Sequence, residues 1–265
     1  MRYIKFLVVS IFSVILVTSC IKRPADGALT NASFSVSSKQ QVYFSKGNLQ
    51  YQPSTKTWRF AENQWETVRK SNENISPNYD GFIDLFGWGT GEDPTNCSSE
   101  IYKYQYFSDW GNNPISNGGC EPNRWRTLSF DELNYLLFER NTSSGLRYAK
   151  SIVNNVEGVV ILPDKWSTKI YDFKNANSEF CLFHQNMISQ EQWKKLELVG
   201  CVFLPLTGFR IGTQVSEIET YGSYWTSSNS GNICAYSLRI FDKELHFNDH
   251  FCRNNGFAVR LVCDK

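Results

Sequence analysis

Histidine is scarce in this chain, with only His184, His246 and His250 among 265 residues. None falls in a metal spacing such as HExxH, and no GxSxG, P-loop or dinucleotide glycine fingerprint occurs. The sequence therefore offers no support for zinc hydrolysis, serine hydrolysis or nucleotide chemistry. Net charge is nearly absent too: 27 Lys and Arg against 26 Asp and Glu leave +1. Nothing in that balance points to nucleic acid or to an acidic membrane surface as partner. Long apolar runs are missing beyond the N-terminus, so no later segment is expected to span a bilayer.

The one apolar run that is present has a recognisable layout. Arg2 and Lys5 precede residues 6–17, whose only polar breaks are Ser10 and Ser13. About twelve residues suit the apolar part of an export signal and fall short of the roughly 20 of a spanning helix. Leu16-Val17-Thr18-Ser19-Cys20 then resembles the lipobox of bacterial lipoproteins, with an aliphatic residue three before the cysteine and a small one directly before it. The expectation is a signal peptide over residues 1–19, cleavage before Cys20, and lipidation of Cys20. Several acyl chains, at about 0.8 kcal/mol per buried methylene, make a stable membrane anchor. Residues 20–33 are short and polar, with Pro24 and Gly27, and read as the lipidated N-terminus and a flexible tether. Residues 34–265 read as a single domain.

Aromatics are abundant, with 8 Trp, 13 Tyr and 19 Phe. Cysteine is abundant as well. Of 8 in all, those after Cys20 are Cys97, Cys120, Cys181, Cys201, Cys234, Cys252 and Cys263, an odd set that leaves at least one free thiol in an oxidising compartment.

Local chemistry predicts the elements. Gln41-Val42-Tyr43-Phe44 and residues 48–52 read as strands, and a turn at Pro53 leads to Thr57-Trp58-Arg59-Phe60, which makes a hairpin. Residues 69–124 are a long loop region rich in Asn, Gly, Ser and aromatics, pinned by Trp88 and Trp110; loops of this length are commonly functional. Ser129-Phe130-Asp131-Glu132 is a capping box that opens a helix running to about Arg140, and Ser189 to Gln192 opens a second one ending at Gly200. Residues 159–162 and 201–204 are short buried strands. Residues 224–228, 234–240, 244–251 and 257–263 make a C-terminal antiparallel β meander, with Asp242-Lys243 as one turn. Two helices in a strand-rich chain give an α+β class.

The ordered motifs Trp125-Arg126-Thr127-Leu128, Val160-Ile161-Leu162-Pro163, Phe203-Leu204-Pro205, Gly208-Phe209-Arg210, Tyr224-Trp225-Thr226-Ser227-Ser228 and Gly256-Phe257-Ala258-Val259-Arg260-Leu261-Val262 resemble the "major paralogous domain" family. That family of secreted and lipid-anchored bacterial proteins is named for Fibrobacter and is common in Bacteroidetes. It is similar to formylglycine-generating-enzyme-like proteins, so the resemblance implies a C-type lectin-like fold and an envelope address, with no settled activity. Formylglycine-generating enzymes hold copper with two cysteines about five residues apart, and no two cysteines here are that close in sequence, so no catalytic residue is assigned.

The run Phe247-Asn248-Asp249-His250-Phe251-Cys252 is similar to the segment that closes C-type lectin domains, which makes Asn248 and Asp249 weak calcium candidates. Calcium takes six to eight oxygens, and residues 227–233 add no Glu or Asp. Glu121-Pro122-Asn123 spells a lectin tripeptide but lies far too early in the chain. His246 and His250, on one strand face, would stand roughly 13 Å apart at about 3.3 Å per residue, too far to share a metal unless a bulge intervenes. From the resemblance, Cys234 and Cys252 are disulfide candidates; Cys97 with Cys120 and Cys201 with Cys263 are further pairings.

The expectation is a lipoprotein of the outer membrane, surface-exposed or periplasm-facing, carrying a non-catalytic binding or structural module. Its ligand would be a glycan or a cell-envelope protein partner, with Trp225, Tyr102, Tyr104 and Tyr106 as candidate contacts. Two alternatives stand beside it: a formylglycine-generating-type enzyme with altered chemistry, and an architectural surface or fimbrial component.

Overall fold

The computed structural model describes residues 26–178, 180–241 and 244–265, with residues 244 and 247–249 described by backbone alone. The fold is mixed, mostly β sheet with few helices. Its central element is a four-stranded sheet in the order Met187–Ile188, Tyr148–Val153, Val156–Ile161, Val202–Pro205. This sheet is covered on both faces, which is why residues 159–162 read as an unbroken apolar run. Val159 and Ile161 point into one core, with Phe34, Leu136, Leu204 and Leu238. Val160 and Leu162 point into another, with Trp166, Trp193 and Phe203. A third core is dominated by rings: Trp58, Phe60, Phe86, Trp88, Trp110, Trp125, Trp225 and Phe257.

Both capping boxes form. Ser129 opens α1 (Phe130–Asn134), accepting from the Glu132 amide while the Glu132 carboxylate accepts from the Ser129 amide. α1 runs straight into a π-helical turn, Tyr135–Glu139, and stops at Arg140. That guanidinium is buried and binds Asp164 at 2.6 Å and the carbonyls of Leu136 and Leu162. α2 (Gln190–Leu198) is capped by Ser189 and closed by Gly200 at φ +94°. A Cβ at Gly200 would lie 2.2 Å from Ala32, so both the positive φ and the close approach require glycine. No helix among the described residues is long and apolar enough to cross a membrane.

The hairpin Leu49–Gln52 with Thr57–Phe60 pairs as its turn predicts, and Tyr221–Ser230, Cys234–Phe241 and Glu244–Cys252 form an antiparallel meander. The Asp242-Lys243 turn lies outside the described residues, as does everything predicted for residues 1–25, including Cys20. Two expectations need correction, and one strand adds to them. The tether does not extend to residue 33: Lys46 donates to Gly27, Leu29 donates to Phe44, and Ala28 bridges Ser45, so residues 27–29 already belong to the fold. The last strand is only Val262–Asp264, and it leaves the meander to pair with Gln41–Phe44. The strand Tyr148–Val153 was not anticipated, because Lys150 and Ser151 make it look polar although both are fully buried.

Candidate functional site

The long loop region is organised by a chain of rings. Trp58 meets Phe86 at 5.4 Å, Phe86 meets Trp110 at 6.3 Å, Trp110 meets Phe107 at 5.9 Å, and Phe107 meets Trp88 at 4.8 Å. These tilted and edge-on contacts fix the loop at its apolar ends. Polar groups fix the rest. Trp88 Nε1 donates to the Thr226 carbonyl, and Asp109 accepts from the Gly111 amide and from the amide and hydroxyl of Thr127. Burial raises the Asp109 carboxyl, and these three bonds hold it back. Residues 89–91 and 108 exchange backbone bonds like a short ladder. Gly89 has φ +69°, and a Cβ there would come within 2.8 Å of the Phe107 backbone.

Between these two walls opens a cleft of about 350 Å³. Phe107 and the fully presented ring of Tyr106 supply its aromatic surface, with the buried Trp88 packed behind them; Glu92, Asp93, Lys103 and Asn112 supply its polar rim. The side chains of those four make no hydrogen bond or ion pair with another described residue, so their donors and acceptors remain available. Arg253 supports the floor. Its guanidinium lies 4.5 Å from the Trp88 ring and donates to the carbonyls of Tyr104, Gln105, Gly231 and Cys234. The cleft is thereby tied to the end of the C-terminal meander.

The candidate tyrosines divide. Tyr106 lines the cleft and Tyr102 is exposed near it, but Tyr104 is buried, with its hydroxyl on the Ser98 carbonyl and its phenol pushed up to about 12 by burial. The 3₁₀ turn Ile101–Tyr104 does not hold all three on one face. Trp225 is also corrected: it is a core residue, its ring tilted against Phe257 at 4.4 Å, with its indole donating to the Phe86 carbonyl. No ligand can reach its face. Trp88, Phe107, Glu92, Asp93, Lys103 and Asn112 were missed; the only signal was the length and ring content of the loop.

Cys234 and Cys252 stand directly opposite in the register, their thiols in hydrogen-bond contact. Burial first, then the neighbouring thiol, pushes Cys234 up. Opposed antiparallel residues lie about 4.5–5.5 Å apart at Cα, inside the window a disulfide accepts. The other pairings are not brought together. Cys201 belongs to the core around Trp193, whereas Cys263 belongs to the ring-dominated one. Cys120 turns its thiol onto the Ser116 carbonyl, while Cys97 has Tyr104 and Arg210 as neighbours.

The register of the meander does shift between His246 and His250, as a bulge would require. Each imidazole has an aromatic neighbour, His246 stacking on Phe241 at 5.8 Å and His250 meeting Tyr236 edge-on. Among the described residues no group of three or more His, Cys, Asp or Glu could hold a metal. The side chains of the calcium candidates Asn248 and Asp249 lie outside the description. Glu121-Pro122-Asn123 forms an exposed turn whose Glu121 pairs with Arg124 at 3.3 Å.

A second cleft, of about 370 Å³, contains Arg69 and Glu219, but these bind each other at 2.9 Å and so offer little to a ligand. No family model, curated protein or solved structure matches this chain, so its site is read from its own geometry.

Proposed function

We propose that this chain is a lipoprotein anchored through Cys20 to the outer membrane, with a non-catalytic, C-type lectin-like module that binds a glycan in the 88–112 cleft. The observation that carries this reading is the pairing of aromatic faces with unpartnered polar groups in one open cleft. A sugar ring presents an apolar face and a hydroxyl rim. Tyr106 and Phe107 match the face, while Glu92, Asp93 and Asn112 match the hydroxyls with acceptors, and Lys103 with a donor. The test is a glycan array probed with residues 26–265, with and without calcium. Binding lost in Tyr106→Ala supports the reading. Binding that survives in both Tyr106→Ala and Asp93→Asn contradicts it.

A second reading draws on the opposed cysteines. Thiols far apart in sequence meet across the hairpin, so a two-thiolate copper(I) site of the formylglycine-generating kind has its ligands in space. Stoichiometric copper(I) binding lost in Cys252→Ser supports that enzyme; a Cys234–Cys252 disulfide in the exported protein removes it.

A further inference from the structure

A separate cleft, of about 420 Å³, lies between residues 30–33 and residues 163–165, with Val199 and Lys265 closing it. Its charges are not balanced internally. Asp164 is fully engaged, by Arg140 at 2.6 Å, by the hydroxyl and amide of Ser35 and by Gln41, so its carboxylate is neutralised from behind. Lys265 uses two of its three donors, on Ser33 and Gln41. Lys165 is exposed and has no ion pair among the described residues. The mouth of the cavity thus carries the Lys165 ammonium with no ion-pair partner among the described residues.

The neighbouring surface continues this chemistry. Leu198, beside Val199, is 69% exposed. On α2 it shares its outer face with Lys194 and Lys195, four and three residues earlier, both exposed and unpaired. Of their face, only Glu191 is acidic. An aliphatic side chain flanked by two lysines fits an anionic lipid surface better than a soluble glycan.

Chain length allows this surface to meet the lipid. Asp26 follows Cys20 by six residues, a reach of about 20 Å at roughly 3.3–3.6 Å per residue. From there residues 27–33 run along the fold to this cleft, where Ala32 packs on Gly200 at the end of α2.

We infer that this cleft seats the phosphate of an anionic phospholipid headgroup, with Leu198, Lys194 and Lys195 laid against the same bilayer. The inference rests on the Cys20 anchor proposed above. It is independent of the glycan cleft. The chain's near-zero net charge does not oppose it, because binding is decided by local excess.

The test uses the full lipidated chain in phosphatidylcholine vesicles with and without phosphatidylglycerol. Amine acetylation of Lys165, Lys194 and Lys195 is read by mass spectrometry beside vesicle flotation. Acetylation should fall about five-fold when the anionic lipid is present, the scale of one lysine held at a charged surface. Lys165→Glu and the Lys194→Glu, Lys195→Glu pair should abolish that protection while flotation and melting temperature stay unchanged. Flotation with equal acetylation in both vesicles overturns the headgroup contact alone. Loss of flotation removes the anchor and the contact with it. Equal protection of Lys165 by inorganic phosphate without vesicles assigns the cleft to a soluble anion and overturns the lipid assignment.

Discussion

The 88–112 loop side and the α2 side both leave large apolar side chains in water, but the company they keep differs. Tyr102, Tyr106, Ile211 and Ile233 gather around the 253–255 turn, through Arg253 to residues 104–105 and 233, through Asn254 to Ser99, and through Asn255 paired with Ile211. Ile170, Phe180, Met187 and Leu198 belong to the α2 side. Presented tyrosine rings beside carboxylates and an amide mark the cleft itself; an aliphatic side chain beside unpaired lysines marks Leu198 on α2. Exposure is therefore a poor guide by itself. The polar neighbours decide whether an exposed apolar group suits a sugar face or a lipid surface.

The sharpest way to break this contrast is to separate core rings from presented rings. Trp225→Ala should cost about 3–5 kcal/mol, the range for deleting a large buried ring, visible as a lower denaturation midpoint. Tyr106→Ala should leave stability within about 0.5 kcal/mol. A Trp225 variant that melts normally yet loses ligand would restore that residue as a contact and undo the assignment.

Next in size is the hairpin pair that borders the loop side. A Cys234–Cys252 disulfide is expected in the exported protein, worth about 3 kcal/mol for a loop of this length. Non-reducing peptide mapping should find it, and reductant should lower the melting temperature of wild type but not of Cys252→Ser.

On the binding side, Tyr106→Ala should weaken a captured oligosaccharide by about 2 kcal/mol, as a central aromatic contact does. The Lys194→Glu, Lys195→Glu pair should leave that affinity unchanged in calorimetry. A loss with the lysine pair would merge the two surfaces into one.

A further effect is in acid, and it has opposite signs in the two regions. Asp84, just before the loop, is driven up to about 6 by burial, against hydrogen bonds from Asn72 and Val68. Its folded value lies above the unfolded one, so its contribution is full below about pH 4 and is lost as pH rises through 6. Asp164, beneath the phospholipid cleft, is also pushed up by burial, but Ser35 and Arg140 more than reverse this and its carboxyl ends lowered. Its contribution is present above the usual carboxylate range and is lost as pH falls through the lowered value. Carboxyl NMR titration should place Asp84 near 6 and Asp164 below an ordinary aspartate.

What the sequence made legible was local. Ser129 with Glu132, Ser189 with Gln192, Gly200 and the turn before Thr57 each act within a few residues, and each forms. What stayed hidden was set by distant partners. Tyr104 and Trp225 look like any loop or strand aromatic until Ser98, Phe86 and Phe257 enclose them. Residues 27–29 look like linker until Ser45 and Phe44 bond them. The cleft depends on Trp88 and Phe107 meeting across nineteen residues, and its polar rim has no motif because its members share a place and not a spacing.

The 88–112 cleft is the proposed ligand site. It is tested by amide and indole NMR of residues 26–265 titrated with an oligosaccharide captured on the array. Saturable shifts are expected at Trp88, Glu92, Phe107 and Asn112, with none at residues 194–199, and the shifts should be lost in Tyr106→Ala. Saturable shifts confined to residues 194–199 or to the 234–252 hairpin would contradict it.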